Sequence, residues 1–273
     1  MRRLLPALAL NLALGLIALL TLTPLLWMVS ASLMPPGDAN MFPPRLLPRN
    51  VTFEHYLALF TRLDLARHLS NSAVIAVLST TLSVLMNSMA GYAFAKLRFS
   101  GRDRVFQILL AALVIPAQVG MLPLFLMLKG MGLVNTATAA VIPFMASVFG
   151  IFLVRQYALG IPDDLLDAAR LDGAGEFRIF STIVLPLLRP ILVTLAVFTF
   201  LSSWNDFMWP LIVLSDEAKY TLPVALANLV GEHVQDTELM MAGSVLTILP
   251  VLVVFLALQR WYIRGVMMGS VKG

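Results

Sequence analysis

Six stretches of this chain, at about residues 4–33, 69–95, 105–128, 134–154, 184–201 and 240–258, are apolar almost throughout. A helix needs about 20 such residues to cross a hydrocarbon layer of about 30 Å. Hydrocarbon offers no partner to an open backbone, so a spanning segment is either a helix or a strand of a closed barrel. These runs lack the alternation of barrel strands. The expectation is an all-α integral membrane protein, with six transmembrane helices in a single membrane domain covering 1–273. Within it, 1–68 reads as a first helix with an external strap, 69–260 as the core and 261–273 as a cytoplasmic tail. Hydrophobic residues make up 59% of the chain and charged ones 12%, against about 45–50% and about 25% in soluble domains. The excess sits in the six runs.

Basic residues collect on the cytoplasmic side of membrane proteins, and this sets the orientation. With both ends inside, thirteen of the nineteen Lys and Arg are inside; the net charge is then +7 inside and −3 outside. The basic balance reflects topology and calls for no nucleic acid. Although Arg2 and Arg3 precede it, the first run far exceeds the roughly 7–15 apolar residues of a signal-peptide core, so it reads as a retained helix. The chain has no cysteine, which excludes disulfides and thiolate metal sites. His55, His68 and His233 have no ligand-like spacing and read as solvated loop residues. No catalytic group, metal site or cofactor is expected.

Pro35, Pro36, Pro43, Pro44 and Pro48 forbid helix after the first run and favour an extended outer strap. Residues 53–65 can form a short interfacial helix with Tyr56 and Phe60 on one face. In the second run Ser83, Asn87 and Gly91 line one side; this suits close helix contact, with a substrate-lining face as the competing reading. Pro116 and Pro123 free backbone carbonyls in the third run, either as packing or as part of a gate. Arg189, just inside the fifth run, can snorkel to the inner headgroups. No Asp or Glu falls inside any run, whereas ion-coupled carriers usually keep one there. There is also no G-x-x-x-x-G-K-[ST] phosphate loop. Neither an ion gradient nor ATP chemistry is therefore expected of this chain alone.

One charged segment, 157–186, separates the fourth and fifth runs on the inner side. Pro162 suits a first helical turn, and Asp163 and Asp164 suit its positive end. Leu165, Leu166, Ala169 and Leu171 give an apolar stripe, and Asp167 can pair with Arg170 at i, i+3. Gly173 suits a left-handed terminating position. A second helix from Gly175-Glu176 presents Phe177, Phe180 and Val184 before the chain re-enters the bilayer at Leu185-Pro186. By itself, an ordinary helix–turn–helix loop accounts for this pattern.

Asp167-Ala168-Ala169, three residues, Gly173, nine residues, then Ile183-x-Leu185-Pro186 resembles the E-A-A signature of ATP-binding-cassette importer permeases. Only Asp167 departs from it, standing where that family has Glu. The resemblance continues through Ser203-Trp204-Asn205-Asp206-Phe207, Trp209-Pro210-Leu211, Tyr220-Thr221-Leu222-Pro223 and Met241-Ala242-Gly243-Ser244. It reaches the tail from Gln259-Arg260 to Gly269-x-Val271-Lys272-Gly273. It is most like the carbohydrate branch, the smaller permease of maltose-type and glycerol-phosphate-type systems. This resemblance implies a type I importer transmembrane fold and a non-enzymatic subunit of a binding-protein-dependent sugar importer in a bacterial inner membrane. The implied partners are a second homologous permease, a dimer of ATP-binding subunits that hydrolyse the ATP, an extracytoplasmic solute-binding protein and the lipid bilayer. Asp167, Ala168, Ala169, Gly173, Ile183, Leu185 and Pro186 would then form the loop that docks on the ATPase, with the tail reaching between its subunits. An amino acid, polyamine or phosphodiester cargo is the competing reading, and an ion-coupled carrier the rival from another class.

The outer segment 202–239 carries Trp204, Asn205, Asp206, Phe207 and Trp209. Aromatic faces beside amides suit a sugar path, while an interfacial aromatic belt accounts for the tryptophans with no ligand. Gly231 and Glu232, with His233, are the candidates for contact with the binding protein.

Overall fold

A computed structural model of the chain describes residues 4–43, 45–232 and 236–268, without the side chains of 4–9, 229–232 and 260–268. Every regular element among these residues is helical. In chain order the α-helices are α1 (Leu4–Ala31), α2 (Glu54–Arg62), α3 (Leu65–Lys96), α4 (Arg102–Ala112), α5 (Ala117–Gly130), α6 (Ala137–Met145) and α7 (Val148–Ala158). They continue with α8 (Asp163–Leu171), α9 (Glu176–Ile179), α10 (Leu185–Leu187), α11 (Arg189–Trp204), α12 (Met208–Val213), α13 (Leu222–Glu232) and α14 (Thr237–Met268).

Three of these elements are long and apolar enough to cross a membrane unbroken: Leu10–Ala31 of α1, all of α3, and Thr237–Gln259 of α14. The other three runs are broken pairs, α4 with α5 at 105°, α6 with α7 at 41°, and Glu176–Leu187 with α11 at 79°. Counting each pair as one span gives six. The breaks have local causes. Pro116 stands at the N-cap of α5, so the third run parts there instead of merely kinking, while Pro123 is carried inside α5. Ser147 starts α7 by accepting the Gly150 N–H at 2.9 Å, a side-chain cap that competes with helix continuation. Proline in the first turn of α11 fits the orphan N–H positions of a helix start.

The chain forms two compact units, Met1–Ala66 with Ala225–Pro250 and Arg67–Val224 with Val251–Gly273. In the first, the proline-rich strap is pinned to the start of α14. Glu238 Oε1 accepts the Ala39 N–H at 2.8 Å, and Thr237 Oγ1 donates to Asn40 Oδ1 at 2.8 Å. The sixth helix begins at Thr237, ahead of its apolar run, so Glu238, 1% exposed, lies on that helix but outside the run. Its use is structural, meeting a backbone donor in the strap. One expectation is corrected here: His55 is not solvated but buried, with Nε2 2.9 Å from the Met34 carbonyl. The packed side of α2 is His55 and Leu59, one residue earlier than the Tyr56–Phe60 side, and Phe60 stays exposed.

In the second unit α3 is the central strut. Gly91 lets α7 approach so closely that an added Cβ would stand 2.6 Å from Val154 Cβ. Asn87 is fully buried; its Nδ2 donates to the Ser83 carbonyl at 2.7 Å and its Oδ1 accepts the Ser147 N–H at 3.0 Å. Ser83 Oγ lies 3.1 Å from Thr199 Oγ1 on α11. The Ser83-Asn87-Gly91 stripe is thus a helix contact, built from small residues and interhelical hydrogen bonds. His68 is buried as well, Nδ1 facing the Tyr220 carbonyl at 3.1 Å, which corrects the second histidine. His233 lies outside the described residues.

Candidate functional site

The 157–186 loop folds as a closed elbow. Helix α8 starts after Pro162, carries Asp163 and Asp164 in its first turn, and ends at Leu171, two residues before Gly173, whose φ of +81° is the left-handed value. The Gly173 N–H reaches the Arg170 carbonyl and the Ala174 N–H the Ala169 carbonyl, both at 3.0 Å. This double closure is a Schellman motif, and Ala169 and Ala174 both pack on the core beneath. Gly175 caps α9, the backbone widens to a π-turn over Phe180–Val184, and α10 follows.

The expected apolar stripe divides. Leu166 is buried, while Leu165 and Leu171 are exposed, Leu171 at 89%. At about 100° per residue, Leu165 and Leu171 lie well round α8 from Leu166. Phe180 and Val184 are likewise core residues, and Phe177 alone of its group is presented, at 75% exposure. Leu165, Leu171 and Phe177 are thus the large apolar side chains that this loop leaves exposed.

Charge ties the elbow to α3. Arg170 Nη1 donates to Asp167 Oδ1 and Arg170 Nε to Glu176 Oε1, both at 2.7 Å. The Tyr92 hydroxyl donates to Glu176 Oε2 at 2.8 Å. One helical turn further along α3, Lys96 Nζ donates to the Ile161 carbonyl at 2.6 Å and to Asp163 Oδ1 at 2.7 Å. The Lys96 ammonium holds the Asp163 carboxyl below its usual range, and Glu176 first, then Asp167, push the Arg170 guanidinium further toward its charged form. A cleft of about 880 Å³ opens beside this network, lined by Arg98, Arg102, Asp163, Asp167, Arg170 and Glu176, among others. Asp167, one methylene shorter than Glu, spends its carboxylate on its own helix. Tyr92 and Lys96 carried no sequence signal for this role, because their side-chain partners Glu176 and Asp163 are 84 and 67 residues away.

Among the motif residues, Asp167, Ala168, Gly173 and Pro186 are exposed. Ala169, Ile183 and Leu185 are half-buried against the core that holds Leu166, Ile179 and Val184. At the end of α11, Trp204 is buried and stacks on Phe200 at 5.7 Å. Asn205 is exposed, with Nδ2 donating back to the Leu201 carbonyl at 2.8 Å, and Asp206 Oδ1 accepts the Trp209 N–H at 3.4 Å. Trp209 is neither belt nor open platform: it is buried, and its indole N–H meets the Ala139 carbonyl at 2.9 Å. Gly231 and Glu232 close α13, without described side chains, and 269–273 of the tail lie outside the described residues.

Residues 84–268 match the family described as binding-protein-dependent transport system inner membrane component. The arabinooligosaccharides transport system permease protein AraQ of Halalkalibacterium halodurans is 40% identical over 260 residues, 94% of this chain and 93% of its own. The lactose transport system permease protein LacG of Rhizobium radiobacter is 34% identical over 272 residues, covering 100% and 98%. A crystal structure of a bacterial ABC transporter that imports the acidic polysaccharide alginate superposes with a TM-score of 0.85 at 26% identity, over 94% of this chain and 96% of the matched one. A helical membrane chain with an E-A-A-type elbow, matched over most of its length, belongs to the family of binding-protein-dependent transport system inner membrane components.

Proposed function

We propose that this chain is one transmembrane subunit of an ATP-driven sugar importer in a bacterial inner membrane, with both ends in the cytoplasm. It pairs with a second, homologous permease on a dimer of ATP-binding subunits, and an extracytoplasmic solute-binding protein delivers the cargo. The chain is a transport subunit and leaves ATP hydrolysis to its partners. Relatives named for arabinooligosaccharides and lactose support the sugar, and the family description supports the binding protein.

The observation that carries the mechanism is the Gly173 elbow and its ties to α3. Asp167, Ala168, Gly173 and Pro186, with Leu165, Leu171 and Phe177, form the rigid surface that docks on the ATPase; Ala169, Ile183 and Leu185 seat it. Tyr92 and Lys96 join that surface to a spanning helix, so closure of the ATPase pair is passed on as rigid-body motion of α3. Coupling requires that nucleotide and loaded binding protein favour the same state of the helices. The tail 261–273 reaches between the ATP-binding subunits. Asn205 and Asp206 edge the outer cargo path, with buried Trp204 supporting them, and Gly231 and Glu232 meet the binding protein.

The test is uptake of radiolabelled lactose and arabinotriose by the complete complex in proteoliposomes. Uptake should require ATP and loaded binding protein and survive an uncoupler. Uptake that persists without ATP and collapses with the uncoupler would overturn the reading in favour of an ion-coupled carrier.

A further inference from the structure

Helix α3 ends at Lys96 and α4 begins at Arg102, so only a short turn joins them. Gly101, at φ +81° and ψ 0°, has the backbone that the third position of a type II turn requires. The Arg102 N–H closes the turn on the Phe99 carbonyl at 3.4 Å. Arg102 is engaged within the turn: Nη1 donates to the Leu97 carbonyl at 3.2 Å and Nε to Asp103 Oδ1 at 3.1 Å. Lys96 is engaged by Ile161 and Asp163. Arg98 and Arg104 are exposed, and among the described residues neither forms a hydrogen bond or an ion pair. Asp163, which also feels the Arg98 charge, is already bonded to Lys96. Both arginines line one open cleft of about 850 Å³ formed by residues 98–104. Asp103 is the carboxylate in that cleft, and Arg102 neutralises it.

Apolar groups continue from these charges. Phe99 and Val105 are each 45% exposed and Ile108 69%, and Val105 and Ile108 share one face of α4 at i, i+3. We propose that this turn binds an anionic phospholipid, with its phosphate on Arg98 and Arg104 and an acyl chain along Val105 and Ile108. Helix α3 is long and apolar enough to span, and α4 opens the next, broken span. A short turn between two spans lies at headgroup depth whichever way the chain is oriented. Guanidinium and phosphate match in charge and in hydrogen-bond geometry, and basic clusters beside spanning helices hold anionic headgroups. Orienting a chain by positive charge requires no convergence of two arginines on one cleft. A free phosphate has no use for the apolar column on α4. An acidic protein segment docking from the water would leave Val105 and Ile108 uncovered.

The test titrates phosphatidylglycerol or phosphatidylcholine into the complete complex in detergent micelles and counts bound lipid by native mass spectrometry. The unaltered chain is compared with Arg104→Gln, with Arg98→Gln plus Arg104→Gln, and with Arg62→Gln plus Lys129→Gln, which removes the same charge elsewhere. Arg104→Gln alone removes an exposed group that bonds nothing, so it keeps the test valid should the double variant fail to assemble. Apparent affinity for phosphatidylglycerol should fall about fivefold for each arginine removed from the turn. It should hold in the charge-matched control, and phosphatidylcholine should bind all four chains alike. Equal phosphatidylglycerol binding by the parent and the turn variants would overturn the site and leave these arginines as orienting charges. Displacement of phosphatidylglycerol by inorganic phosphate at equal concentration would make it a site for free anions and overturn the lipid. Loss of the ATP-binding subunit from the double variant, with phosphatidylglycerol still bound, would make the turn a subunit contact and overturn the proposal. None of these outcomes depends on the cargo, so the importer reading stands or falls separately.

Discussion

Replacing Gly173 by valine isolates the backbone's part in coupling. The residue sits at φ +81°, and a Cβ built there meets nothing within 4 Å. Steric clash therefore adds nothing, and the cost is that of forcing a β-branched residue into left-handed backbone, about 1–3 kcal/mol. That shifts the closed elbow against open alternatives by about 5- to 150-fold. Opening would break the Gly173–Arg170 and Ala174–Ala169 hydrogen bonds and loosen Arg170 from Glu176. The assay is copurification of the ATP-binding subunit with the tagged permease, followed by ATP turnover stimulated by loaded binding protein. Both should fall for Gly173→Val and recover largely for Gly173→Asn, since asparagine tolerates this conformation. Gly175→Ala is the internal control, as Gly175 lies at φ −71° with open space around it; it should stay within about 0.5 kcal/mol of the parent. Equal copurification and turnover for Gly173→Val and the parent would refute the elbow.

Gly91→Ala should destabilise the second unit by about 1–3 kcal/mol through overpacking, read as thermal unfolding in detergent, because its Cβ would stand 2.6 Å from two Val154 carbons. Val154→Gly, which removes both contacting carbons, should cost less beside Gly91→Ala than in the parent, and strict additivity would refute the contact. Tyr92→Phe removes one partner of Glu176 and should cost about 1 kcal/mol. Glu176→Gln should lower stimulated ATP turnover by releasing Arg170, and unchanged turnover would detach that network from coupling. Asn40→Cys and Ala218→Cys in this cysteine-free chain should react with an impermeant maleimide in sealed cells. Leu171→Cys should react only after lysis, and labelling of sealed cells at 171 would invert the topology.

Much of this protein was legible without coordinates because the signals are local. Runs of about twenty apolar residues name the spans. Pro162, Asp163 and Gly173 mark the ends of α8 through capping rules that act within one helical turn. Folding alone decided which faces turn inward and which distant groups meet. Leu166 is buried and Leu171 is not, although both are apolar and on one short helix. Trp209, for which a sugar path and an interfacial belt were both open, is instead held by the carbonyl of Ala139, 70 residues earlier. Glu238 joins Ala39 across 199 residues, and Glu176 joins Tyr92 across 84. A backbone break at Ser147 needed Asn87, 60 residues away, to satisfy it. Periodicity describes how a segment meets water or lipid on average, whereas a hydrogen bond depends on two particular atoms arriving within about 3 Å, and only the packing of one helix on another sets that distance.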